Sequence, residues 1–151
     1  EAEIKLDNLS KCLEEAFLLY FNTRKDIKLN LIKPENDIYF HFDTLQISRC
    51  FGNLIKNAIE AVEKIPNPAV EVLLATDDKN IKIEIKDNGV GIDEKMLSKI
   101  FEPYFTTKTK GTGLGLSIVK RIIEDHGGKI KIEKNKNMAG TTSLINFEYN
   151  A

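Results

Sequence analysis

What this chain of 151 residues lacks narrows its chemistry. Two cysteines, Cys12 and Cys50, are too few for a disulfide framework or a metal site of usual spacing. Both sit among apolar neighbours on helical patterns, which points to a reducing compartment. No apolar run approaches the roughly 18 residues that cross a bilayer, and no apolar centre with a cleavage site marks a signal peptide. A soluble, cytoplasmic setting is therefore expected. An excess of one charge is missing too: 22 Lys plus Arg face 23 Asp plus Glu, and a net charge of -1 gives no general attraction to nucleic acid or anionic lipid. Internal repeats and low-complexity segments are absent. The chain opens at Glu1 rather than methionine, which suggests a piece excised from a longer protein.

What is present fits one domain over residues 1–151, long enough to bury roughly two thirds of its unfolded surface in a single core. Ser10 to Asn22 reads as a helix capped by Ser10, with Leu13, Ala16, Phe17 and Tyr20 at helical spacing. Apolar alternation then predicts strands over Ile27 to Leu31 and Ile38 to Phe42. A second helix runs from Asp43 or Thr44 to about Ile65, where Pro66 and Pro68 stop it. Val70 to Ala75 and Ile81 to Ile85 form a hairpin across Asp77 to Asn80. A short helix covers Glu94 to Ile100, Phe101 to Thr112 reads as a loop, and Leu114 to Asp125 is a third long helix closed by Gly127 and Gly128. Ile130 to Glu133 and Thr142 to Glu148 make a last hairpin across Asn135 to Gly140. Strands arriving in pairs favour an α/β (α+β) two-layer sandwich: a mixed, mostly antiparallel sheet covered on one face by three main helices. The other face would be wet, since Lys82, Glu84, Lys129, Lys131 and Glu133 alternate with apolar residues.

Three motifs carry chemistry. On the second helix Ile47, Phe51, Leu54, Ala58, Val62 and Ile65 form one apolar stripe, and Asn53 and Asn57 lie beside it, one turn apart, with Gln46, Glu60 and Lys64. An asparagine amide there offers a neutral oxygen to a hard cation such as Mg²⁺; the alternative is an ordinary polar flank. Asp87 ends a strand ahead of Gly89 and Gly91, so its carboxylate can accept from an exocyclic amine while the glycines let backbone approach a flat ring. The alternative, a hairpin turn at Asn88 and Gly89, fits poorly with Val90 to Glu94, which leads into a helix. Gly111, Gly113 and Gly115 precede and open the third helix, where free amides form a phosphate cradle. Between Thr106 and Arg121 stand Lys108, Lys110, Lys120 and Arg121 and no acidic residue. The glycine run lacks the GK[ST] ending of a P-loop, follows no strand as a dinucleotide fingerprint must, and H-R-D and D-F-G are absent, which excludes a eukaryotic-type protein kinase.

Taken in order, NLIKNAIEA, DNGVGI, FEPYFTTK and GTGLGLS, with HGG at His126 to Gly128, resemble the catalytic, ATP-binding domain of sensor histidine kinases, in the superfamily that includes gyrase, the ninety-kilodalton heat-shock chaperones and the mismatch-repair ATPase. The resemblance spans nearly the whole chain, and PYFTTK is similar to the nitrogen-regulatory and sporulation branches. It implies a Bergerat-type ATP-binding fold with ATP and Mg²⁺ as cofactors. By the same resemblance Asp87 would hold the adenine amine, Asn57 would ligate Mg²⁺, and Asn53 would support the metal-phosphate end. Gly89, Gly91, Ile92, Phe101, Thr112, Leu114, Leu116 and Ser117 would line the pocket, and Gly111, Gly113 and Gly115 would approach the phosphates. Phe101 and Phe105 would anchor a lid bearing Thr106, Thr107 and Lys108. Glu60 stands where many branches carry a basic residue, which shifts phosphate neutralisation to Lys108 and Lys110.

The resemblance also separates transfer from hydrolysis. Hydrolases of the superfamily carry a glutamate at the place of Asn53, and an asparagine cannot accept water's proton at neutral pH. Phosphoryl transfer needs positioning and charge neutralisation instead. Asn53, Asn57 and Lys108 are then the catalytic set. The acceptor would be a histidine on a dimerisation domain of the same parent kinase, upstream of Glu1, for relay to a response regulator receiver domain. His41 and His126 lack the acidic neighbour and downstream proline of a phosphoacceptor box and read as structural. This domain would be monomeric, its parent a homodimer, with no nucleic acid as partner. The competing readings are an ATP-hydrolysing conformational machine and a non-catalytic nucleotide-binding module.

Overall fold

The computed structural model describes residues 1–103 and 115–149. In chain order the elements are β1 (Lys5–Asn8), α1 (Leu9–Phe21), β2 (Lys28–Ile32), β3 (Tyr39–Phe42), α2 (Thr44–Val62), β4 (Ala69–Thr76), β5 (Asn80–Asp87), α3 (Glu94–Leu97), α4 (Leu116–Asp125), β6 (Gly128–Lys134) and β7 (Thr141–Glu148). The main sheet has the order β2-β4-β5-β7-β6. Only the β2-β4 pair is parallel; the other three pairs are antiparallel.

Alternation decides which face of this sheet is covered. Val70, Val72 and Leu74 of β4, Ile81, Ile83 and Ile85 of β5, and Ile145 and Phe147 of β7 are buried on one side. Against them pack α1, α2 and α4, with Leu13, Phe17, Phe51, Leu54, Val119 and Ile123 in the same core. Lys82, Lys129 and Lys131 point to solvent from the other face. The mixed, mostly antiparallel two-layer sandwich is thus the observed fold. No helix of the described residues is long and apolar enough to cross a membrane.

Several boundaries differ from the sequence expectation. Ser10 is not the cap of α1: Asn8 is, its side chain accepting from the Lys11 amide at 2.9 Å. The Ser10 hydroxyl is buried and accepts from the Ile38 amide instead. β1 has no counterpart in the sequence pattern, and it pairs antiparallel with β3 as a separate two-stranded ribbon. α2 stops at Val62, short of Ile65; the Ile65 amide bonds the Val62 carbonyl in a tightened turn, because Pro66 disfavours helical backbone at the residue before it. α3 covers only Glu94–Leu97. Leu114, placed at the start of the third helix, lies outside the described residues.

Both cysteines are buried where α1 meets α2, and loss of water around them pushes each thiol up to about 12.

Candidate nucleotide site

Asp87 is the last residue of β5, and 6% of its surface is exposed. Its Oδ1 accepts the backbone N–H of Gly89 at 2.9 Å and of Thr141 at 3.3 Å. Burial raises the carboxyl above its usual value, and these two hydrogen bonds oppose that shift. No described residue donates to Oδ2, which stays available as an acceptor.

The chain leaving Asp87 is wedged between two neighbours. At Gly89 a Cβ would stand 2.4 Å from the Ala61 carbonyl oxygen of α2, so only glycine lets the segment lie this close to the helix. On the other side the turn between β6 and β7 closes on the Asp87 backbone. Gly140 there has φ of +107°, and its Cβ would fall 2.0 Å from the Asp87 carbonyl oxygen. Asn88 does not make a hairpin turn: its Oδ1 accepts from the Ala69 amide and its Nδ2 donates to the Asn67 carbonyl, both at 2.8 Å, which ties the segment to the start of β4. Gly91 and Ile92 follow, half-buried.

Ala61 is one helical turn beyond Asn57 and two beyond Asn53 on α2. About 12 Å of helix axis therefore runs from the Gly89 contact to Asn53, the scale of a nucleotide laid along the helix. Asn53 and Asn57 are half-buried beside the buried Leu54 and Ala58. The Nδ2 of Asn53 is fully buried and has no hydrogen-bond partner among the described residues. An orphaned buried donor is costly and uncommon, and an acceptor brought by a ligand would satisfy it.

α4 is the third wall. Gly115 caps it with extended backbone and no side-chain bond closes its first turn, so the amides at Leu116 and Ser117 carry the positive end of the helix. Phe101 packs on the core with Lys120 Nζ 5.4 Å from its ring centroid, which links the segment after α3 to α4. At the other end of α4, His126 is buried; its Nε2 accepts the Asp43 amide at 3.0 Å and its Nδ1 donates to the Ile122 carbonyl at 2.8 Å. That is a structural role. His41 is exposed on β3 opposite Leu6.

Asn53, Asn57, Asp87 and Gly89 are thus brought together along one side of α2. Phe105, Thr106, Thr107, Lys108, Lys110, Gly111, Thr112, Gly113 and Leu114 lie outside the described residues. Sequence reasoning missed Asn135, Gly140 and Thr141 as neighbours of Asp87. A faint signal is present: Gly-Thr-Thr opens the strand with Thr141 on the same face as the apolar Ile145 and Phe147, and Thr141 and Thr142 are both buried.

Residues 42–150 match the family described as histidine kinase-, DNA gyrase B-, and HSP90-like ATPase. The chain is 40% identical over 143 residues to sporulation kinase A of Bacillus subtilis, covering 93% of this chain and 23% of that protein. Among solved structures, the catalytic domain of histidine kinase ThkA superposes with a TM-score of 0.85 at 33% identity, over 97% of this chain and 95% of the other. The structure of ThkA in complex with the response regulator TrrA superposes with a TM-score of 0.81 at 28% identity, over 97% of this chain and 42% of that one.

Proposed function

The chain belongs to the histidine kinase-, DNA gyrase B- and HSP90-like ATPase family as the catalytic part of a histidine kinase, and on that premise we propose that it binds Mg-ATP and transfers the γ-phosphate to a histidine on a neighbouring phosphoacceptor domain. Relay to a response regulator receiver domain would follow, as the pairing of ThkA with TrrA suggests. The chain spans about a quarter of the curated relative's length; on this proposal the acceptor histidine and the dimerisation helices would lie elsewhere in the parent protein.

The observation that carries this reading is the pairing of a free acceptor with a free donor on one side of α2. Oδ2 of Asp87 can take a hydrogen bond from adenine's amine, and guanine would present a carbonyl to it. Asn53, two turns of α2 from the Gly89 contact, offers a buried N–H to a phosphate oxygen. Asn57 lies between them and supplies the amide oxygen suited to Mg²⁺, an ion commonly held by one or two protein oxygens plus phosphates. Mg²⁺ would supply charge neutralisation at the phosphates. The amides at the start of α4 add donors, and Lys108 and Lys110 add charge.

Asn53 also supports transfer over hydrolysis, because its amide donates and cannot act as a general base toward water. Calorimetry with ATP, ADP and GTP tests the site. ATP and ADP should bind well above GTP, and Asp87→Ala should abolish the difference. Equal affinity for GTP in the unaltered chain would remove the adenine assignment.

A further inference from the structure

Asn135, just past the end of β6, bonds both its own turn and the backbone of Asp87. Its Nδ2 donates to the Asp87 backbone carbonyl at 2.7 Å and to the Ala139 carbonyl at 3.0 Å. Its Oδ1 accepts from the Thr142 hydroxyl at 2.5 Å, and its own amide donates to the Gly140 carbonyl at 3.0 Å. Two carbonyl acceptors fix the orientation of the amide, since only the NH₂ end can serve them.

The location explains the need. On the β7 side the ladder of β5 ends at Lys86 opposite Thr142, one residue short of Asp87. The Asn135 amide continues that ladder with a side chain, holding the Asp87 carbonyl from the direction where no strand residue reaches it. The same turn carries Gly140, whose missing Cβ lets the backbone pass the Asp87 carbonyl, and delivers the Thr141 N–H to Oδ1. With Oδ1 held by Thr141 and Gly89, the carboxylate rotamer is set and Oδ2 is the oxygen left to face a ligand.

We propose that Asn135 is a positioning residue for base recognition: it aims the Asp87 carboxylate by clamping the Asp87 backbone to the β6-β7 turn, without touching the nucleotide itself. The proposal rests on Asp87 being the acceptor for adenine's amine, so its test must separate the two ideas.

Dissociation constants for ADP and IDP, which differ in the amine or carbonyl at that edge of the purine, are measured on the chain and on Asn135→Asp, Asn135→Ala and Thr142→Val, with a thermal melt for each. Asn135→Asp keeps an acceptor for Thr142 but turns a carboxylate on two carbonyls. ADP affinity should fall about tenfold while IDP affinity changes by less than about twofold, so the ADP-to-IDP preference collapses. Asn135→Ala should lose about fivefold for ADP, and Thr142→Val, which removes only the hydroxyl steadying the amide, about threefold. If Asn135→Asp fails to fold, Thr142→Val decides, because valine suits a strand position. Lower melting temperatures with an undiminished ADP-to-IDP ratio would reduce Asn135 to a turn clamp and overturn the proposal. Equal ADP and IDP binding by the unaltered chain would instead defeat the Asp87 assignment, and the proposal with it.

Discussion

Nε2 of His126 accepts the backbone N–H of Asp43 at 3.0 Å, fastening the end of α4 to the residue that caps α2. The Asp43 side chain accepts from the Gln46 amide and from the Glu3 amide, and these bonds hold its carboxyl below the usual range. Asn53 and Leu116 are each about three turns from this joint along their own helices. The joint therefore governs how the open end of α4 is set against the asparagines.

His126→Ala removes the acceptor for a buried N–H and should lower Tm by roughly 3–8 °C. Differential scanning calorimetry measures this directly. An unchanged Tm would show that water or a neighbouring group replaces the imidazole without cost.

The two glycines that contact or lie within α2 should behave oppositely. Gly52 sits inside the helix with open space at its Cβ position, so Gly52→Ala should stabilise the fold by about 0.5–1 kcal/mol. Gly89→Ala would drive a methyl to 2.4 Å from the Ala61 carbonyl oxygen, which must push the Asp87 segment off the helix. Chemical denaturation and ADP titration of both variants should show a gain in stability without loss of binding for the first, and losses of both for the second.

Much of this arrangement is legible in the sequence where local pattern and burial agree. The stripe from Ile47 to Val62, the alternation in β4 and β5 and the turn at Asp77 to Asn80 follow from helical or pleated periodicity, and each buries the face that its spacing implies. β1 was hidden because it is short and its side chains are largely exposed or half-buried; it is held by pairing with β3 rather than by a buried face. Ser10 has the residue type and position of a cap, but its hydroxyl serves Ile38, 28 residues away. The bonds from Asn135 and Thr141 to Asp87 span 48 and 54 residues, so no local rule could announce them.

Asp87 couples stability to pH. Burial raises its native carboxyl above 3.8, so the ionised form is disfavoured in the fold. Relative stability from this group is full below 3.8 and is lost as pH rises through the native value. Asp87→Asn should therefore raise Tm at pH 7, and the gain should shrink as the pH is lowered toward 4. The same variant presents N–H at Oδ2, so it should weaken ADP and favour IDP. A gain in Tm that is constant with pH would show that the carboxylate is not the cause.

Asn57→Ala should weaken Mg-ATP binding about tenfold or more and metal-free ATP binding much less, with the fold retained, since Asn57 lies at the margin of the buried stripe. Titrations with Mg²⁺ and with a chelator give the comparison. Equal losses in both would mean that another group ligates the ion.

The most direct test of the account joins this chain to the phosphoacceptor helices of its parent, or supplies them separately, with γ-labelled ATP. The chain alone should bind Mg-ATP yet neither turn it over appreciably nor label itself. With the helices present, label should appear on them as an acid-labile, base-stable phosphohistidine. Rapid phosphate release by the chain alone, or stable label on its own residues, would contradict the assignment of Asn53 and Asp87 to a site built for transfer.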